Sequence, residues 1–182
     1  SHISHTYGGS AANIASWAAF NGADVSFVGC VNSADVIRVQ EQFATFGVKV
    51  NLQHNTLETG TLVSIVEGAQ RTMLTDRGAN AALDFNQISD SYLAEFSFVF
   101  ISGYSIFGRS VSEIQEFISR IKSTGSKVLM DPGSAGFIVD YGVSEFLSAT
   151  KGTDVLLPND VEFEVLGANF PTVIVTKGDA GV

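Results

Sequence analysis

Gly8-Gly9-Ser10-Ala11-Ala12-Asn13-Ile14-Ala15 sets two glycines directly ahead of a run of small residues, and Gly22-Ala23-Asp24-Val25-Ser26-Phe27-Val28-Gly29 follows it as a glycine-bounded apolar run. Glycine lets a backbone come close to a ligand, and the free N–H groups of a helix start can bind oxygens. Asn13, one turn into the expected helix, carries a donor and an acceptor and so suits a hydroxyl. Taken alone, the same pattern also fits a tight turn ahead of a closely packed helix.

Working outward, short β-branched or aromatic runs at 25–31, 98–102, 127–131, 154–157 and 172–176 read as strands, nearly continuous in apolar character as strands covered on both faces must be. Between them, 11–20, 35–46, 110–123 and 137–149 read as helices. In the third, Val111, Ile114, Phe117, Ile118 and Ile121 fall at helical spacing, with Ser110 or Ser112 as N-cap and Gly125 just past the end. Strands alternating with helices predict a doubly wound, mainly parallel α/β sheet, whose ligands bind at the carboxyl ends of the strands. From 48 to 76 the alternation breaks. Three β-like runs at 48–52, 59–66 and 71–75 mix polar and apolar residues, as in Thr61-Leu62-Val63-Ser64-Ile65-Val66, and predict a small antiparallel β lid inserted into one domain spanning 1–182. An edge extension of the main sheet would carry the same pattern.

The 182 residues, 45% apolar, are enough for a filled core. Ten Lys+Arg against 19 Asp+Glu leave a net charge of −9, which repels nucleic acid and anionic membranes. The single cysteine, Cys30, lies in an apolar run, so an internal disulfide is excluded and a small buried hydrophobe is expected. With no signal-peptide pattern and no apolar stretch of spanning length, a cytoplasmic protein without a membrane partner is the expectation.

These two glycine-bounded stretches resemble the N-terminal signature of the ribokinase-like, PfkB-type carbohydrate kinases. The order of later motifs continues the resemblance: Arg71-Thr72-Met73-Leu74 and Arg77-Gly78-Ala79-Asn80 about the lid, Ser102-Gly103-Tyr104 after one strand and Asp131-Pro132 after the next. Pro158-Asn159-Asp160-Val161-Glu162 is similar to the family's Asn-x-x-Glu motif, and Thr176-Lys177-Gly178-Asp179-Ala180-Gly181 looks like its Thr-x-Gly-x-x-Gly nucleotide loop. The resemblance implies ATP-dependent phosphorylation of a hydroxyl on a small sugar or nucleoside, with Mg²⁺. It implies Gly8, Gly9, Asn13 and Gly103 as substrate contacts and Asn159, Glu162, Thr176 and Gly178 on the nucleotide side, with Glu162 orienting hydrated Mg²⁺. Arg71 and Arg77, near the lid, are expected to meet an anionic group on the substrate, and Asp131 is a second candidate near Mg²⁺. An apolar face on the 61–66 strand favours a homodimer through the lid.

The sequence also departs from that family. A hydroxyl that attacks phosphorus needs a base, which the family supplies from a Gly-Ala-Gly-Asp segment absent between Ser1 and Val182. No catalytic residue is therefore assigned here, and the Asp is expected beyond Val182. The family's first strand, with an Asp that holds the sugar, is expected before Ser1. After Val31, Asn32-Ser33-Ala34-Asp35 stands where the family has Gly-x-Asp-x-x-Gly, and Gly167-Ala168-Asn169-Phe170-Pro171 is too short for an expected helix. Both read as places where residues of a longer parent are left out. The alternative from another class is a ligand-binding protein that keeps the fold and lacks the base. A dinucleotide-binding oxidoreductase is disfavoured, since no Gly-x-Gly-x-x-Gly follows the first strand.

Overall fold

The small residues after Gly9 form a helix, α1 (Ser10–Phe20), which Gly9 caps with a φ of 108° that only glycine adopts readily. The structure, a computed structural model, describes residues 7–67 and 70–182, the side chains at 66, 67, 70 and 71 excepted. The chain divides between Asp84 and Phe85 into two compact units.

In the first unit, α1 is followed by β1 (Ser26–Asn32), a short turn of 3-10 helix at Ser33–Asp35, and α2 (Val36–Ala44). β2 (Lys49–Asn55) lies parallel to β1, with Ser26 opposite Lys49 and Asn32 opposite Asn55. Ala15 of α1, Val31, Val39 and Phe43 of α2, and Val48 form the core. Ala12, Ala19, Val25, Phe27, Val50 and Leu52 pack against it. The Phe27 and Phe43 rings stack with centroids 4.5 Å apart. Small side chains on α1 let its backbone approach the sheet closely, while Trp17 and Phe20 on its outer side are exposed.

The 48–52 run was expected within an antiparallel lid, and the structure places it elsewhere. Val48, Val50 and Leu52 alternate into the core shared with the two helices, and parallel pairing with β1 puts them there. The antiparallel part is the ribbon β3 (Thr61–Glu67) and β4 (Gln70–Asp76), with Val63 opposite Leu74 and Ser64 opposite Met73. Cys30 is buried as expected, and so is Ala79 in the 3-10 turn Gly78–Ala82 that lies against β1.

The second unit has a four-stranded sheet ordered β5 (Phe98–Ser102), β6 (Lys127–Asp131), β7 (Val155–Leu156) and β8 (Thr172–Val173), every pair parallel. A short helix, α3 (Asp90–Leu93), precedes it. α4 (Val111–Ser123) links β5 to β6 and buries Ile114, Phe117, Ile118 and Ile121 at helical spacing. Ser110 caps α4 by accepting from the Glu113 N–H at 3.2 Å. The expected helix at 137–149 is two helices, α5 (Ala135–Tyr141) and α6 (Val143–Ala149), because Gly142 turns the chain between them at φ 98°. α7 (Asp160–Leu166) crosses from β7 to β8. Both shortened connections close as turns: Asn32 accepts from the Ala34 N–H at 2.8 Å, and Gly167 ends α7 at φ 64°.

The exits of β5 and β6 press together. A Cβ added at Gly103 would lie 2.0 Å from the Pro132 carbonyl oxygen, which is backbone and cannot swing aside. Gly103→Ala is therefore expected to cost about 1–3 kcal/mol, as overpacking does. Chemical denaturation measures it, and an unchanged midpoint at unchanged slope would show that the two exits are not tightly apposed.

Candidate active site

In the second unit the strand exits bring the sequence-predicted residues to one edge. Gly103 and Tyr104 follow β5, Asp131 ends β6, Asn159 and Glu162 follow β7, and Thr176 follows β8. An isolated parallel bridge joins Asn159 to Thr176, whose N–H donates to the Pro158 carbonyl at 2.8 Å. Gly178 opens a 3-10 turn two residues further on, at φ 56°.

Asn159 and Glu162 hold one another. The Asn159 side-chain oxygen accepts from the Glu162 N–H at 2.9 Å, and Glu162 Oε2 accepts from the Asn159 N–H at 2.9 Å. Asn159 Nδ2 also donates to Glu162 Oε1 at 2.8 Å. This reciprocal arrangement is a capping box, which satisfies two helix-end donors and fixes the carboxylate near the positive end of the helix. Glu162 is only 4% exposed, an uncommon position for an acid. Burial pushes its carboxyl above the usual carboxylate range. The Asn159 N–H works against that rise, and the Asp131 charge adds to it.

Asp131 accepts from the Gly133 N–H at 2.9 Å, which turns the β6 exit tightly. Tyr104 lies against this turn: a Cβ on Gly133 would fall 3.3 Å from the Tyr104 nitrogen and 3.4 Å from its ring. Burial raises the Tyr104 hydroxyl, and the charges of Asp131 and Glu162 raise it further. The Asp131 charge thus acts on both Tyr104 and Glu162. Sequence reasoning ranked Asp131 second and assigned Tyr104 no role; the only signal for Tyr104 was its place directly after Gly103.

Gly8, Gly9 and Asn13 belong to the first unit. Gly9 has no side-chain cap to offer, and its carbonyl accepts from the Asn13 N–H at 2.9 Å. Asn13 is exposed. The Arg71 side chain lies outside the described residues, while Arg77 is half-buried at the end of β4.

The family model of pfkB family carbohydrate kinases matches residues 1–182. The chain belongs to that family. Among curated proteins this pfkB-family chain is similar to a ribokinase of Haemophilus influenzae, 25% identical over 166 residues, covering 88% of this chain and 51% of the relative. Among solved structures it is similar to an Anopheles gambiae adenosine kinase in complex with P1,P4-di(adenosine-5) tetraphosphate. That match has TM-score 0.75 and 26% identity, and covers 89% of this chain and 50% of that one. A probable sugar kinase from Rhizobium etli shares the fold with TM-score 0.77 at 22% identity, covering 87% of this chain and 50% of that one. The chain thus spans about half the length of the relatives it matches. The pfkB fold is ribokinase-like α/β, and no helix among the described residues is long and apolar enough to cross a membrane.

The raised Glu162 carboxyl fixes a sign. Between the ordinary carboxylate range and the raised value, the folded state holds a proton that the unfolded state has released, so stability falls as pH rises through that window. Glu162→Gln removes the titration and keeps an oxygen for the Asn159 N–H. Its Tm relative to wild type is expected to climb as pH rises from the ordinary carboxylate range through the raised value, and then level off. A difference that stays flat across that range would contradict a destabilising charge at this position.

Proposed function

We propose that the protein transfers a phosphoryl group from ATP to a hydroxyl of a small sugar or nucleoside. The observation that supports this reading best is the Asn159–Glu162 box at the carboxyl edge, bridged to Thr176 and within the electrostatic reach of Asp131. Phosphoryl transfer needs little covalent chemistry from a protein; positioning and charge stabilisation carry it.

The donor set fits Mg²⁺ held through water. Both Glu162 oxygens already accept a hydrogen bond from Asn159, so the carboxylate is aimed and still has lone pairs for metal-bound water. No cluster of three or more acids, histidines or cysteines that could hold a metal occurs among the described residues. This suits an ion that takes one or two carboxylates and relies on phosphates and waters for the rest. When bound, Mg²⁺ neutralises charge on the transferring phosphoryl group. Glu162 and Asp131 orient its water shell, and Thr176 and Gly178 contact the nucleotide phosphates or ribose. Gly8, Gly9, Asn13 and Gly103 are the proposed substrate contacts, and Arg71 and Arg77 are the proposed partners of any anionic group it carries.

The β3–β4 ribbon serves as lid in this reading. Its exposed Leu62, Val63, Ile65, Met73 and Leu74 support a homodimer through it, and the acidic chain is assigned to the cytoplasm without nucleic-acid or membrane partners. No residue between Ser1 and Val182 is assigned as the catalytic base.

A coupled ADP-release assay of the full-length protein across pentoses, hexoses and nucleosides tests the reading. Turnover dependent on one of these substrates is expected. Glu162→Gln should lower kcat/KM about 10- to 100-fold and move the Mg²⁺ dependence to higher concentration, as the loss of an outer-shell metal partner does. Binding of a sugar or nucleoside without ADP release would instead assign the fold to a non-catalytic binder.

A further inference from the structure

Asp35 divides its two carboxylate oxygens between two parts of the first unit. Oδ1 accepts from Arg38, at 3.2 Å from Nε and 2.7 Å from Nη2. Oδ2 accepts from the Thr59 hydroxyl at 2.5 Å. The Thr59 oxygen in turn accepts from the Asn32 N–H at 3.0 Å, so its single proton is left to point at Asp35.

Each arm leads to a segment with a proposed role. Arg38 donates its remaining Nη1 to the Tyr7 hydroxyl at 3.0 Å, and its guanidinium lies 5.2 Å from the Tyr7 ring centre. Tyr7 is the residue before Gly8-Gly9. Thr59 is the residue before Gly60, where the ribbon begins, and there the two ends of the ribbon are pinned together. The Ala79 N–H donates to the Glu58 carbonyl at 2.8 Å. A Cβ on Gly60 would fall 2.7 Å from the Arg77 carbonyl, and one on Gly78 would fall 2.2 Å from the Glu58 carbonyl. Movement at Thr59 is therefore passed to both strands of the ribbon at their root.

We infer that Asp35 is a positioning residue that couples the glycine turn to the root of the ribbon, so that occupying the turn and placing the ribbon become one event. The inference rests on the reading of Gly8, Gly9 and Asn13 as substrate contacts and of the ribbon as lid. Asp35 touches neither substrate nor nucleotide in that reading; it acts through Arg38 and Thr59.

The test uses the full-length protein with Asp35→Asn, Thr59→Val, their combination, and Thr59→Ser, which keeps the hydroxyl. Without ligand, hydrogen exchange should quicken in both the 7–13 segment and the 61–76 ribbon in Asp35→Asn, and Thr59→Ser should match wild type. In turnover, each of the first two variants should raise the KM of the phosphoryl acceptor about tenfold with the KM for ATP little changed. The double variant should be no worse than the singles, because residues in one network are not additive. Quickened exchange confined to one of the two segments, an additive double variant, or Thr59→Ser failing to restore wild-type behaviour would overturn the coupling. If the wild type turns over no sugar or nucleoside, the kinase reading falls, and the ligand-free exchange still decides whether Asp35 joins the two segments.

Discussion

The carboxyl edge of the second unit depends on the mutual grip of Asn159 and Glu162. A helix as short as α7 does not form by itself in water, and reciprocal capping removes two of the unsatisfied donors that would oppose it. The same residues carry the edge further. Asn159 is bridged to Thr176, which aligns the chain beyond β8, and the Glu162 charge helps raise the Tyr104 hydroxyl while the Asp131 charge helps raise the Glu162 carboxyl. One local motif thereby sets a helix start, a strand exit and the charge of the edge.

That grip has an energetic consequence. Two hydrogen bonds, from the Asn159 side-chain amide and its backbone N–H, hold a carboxylate that burial and Asp131 both disfavour. Buried acids whose ionisation burial and a neighbouring charge oppose are concentrated at functional positions. A structural cap alone would not need a buried acid, since exposed carboxylates cap helices well.

The sequence made some elements plain and hid others for physical reasons. The strands at 98–102 and 127–131 were readable residue for residue, because strands covered on both faces are continuous apolar runs with sharp ends. The pair Asn159 and Glu162 was singled out by its resemblance to the family's Asn-x-x-Glu motif, and the capping box explains the spacing, since a helical first turn brings the third residue back over the cap. β2 was misplaced because Val48-Lys49-Val50-Asn51-Leu52 alternates as a half-wet strand does, and the choice of parallel β1 as partner is a tertiary fact that periodicity does not encode. The Tyr104 environment was hidden for the same reason: its neighbours come from other strand exits. The stretch after Val31 lacks the glycines its family has there, yet Asn32 and Asp35 tie that turn to the segment before β3 through side chains instead.

The outer face of α1 gives the protein a reporter of its own. Trp17 is the sole tryptophan in the chain, it is 66% exposed, and among the described residues only Phe20 meets its ring, edge-on at 5.6 Å. It stands one helical turn beyond Asn13, so its indole emission speaks for the first unit without background from the second. Changes in the first unit around α1 can thus be followed by light in unlabelled protein.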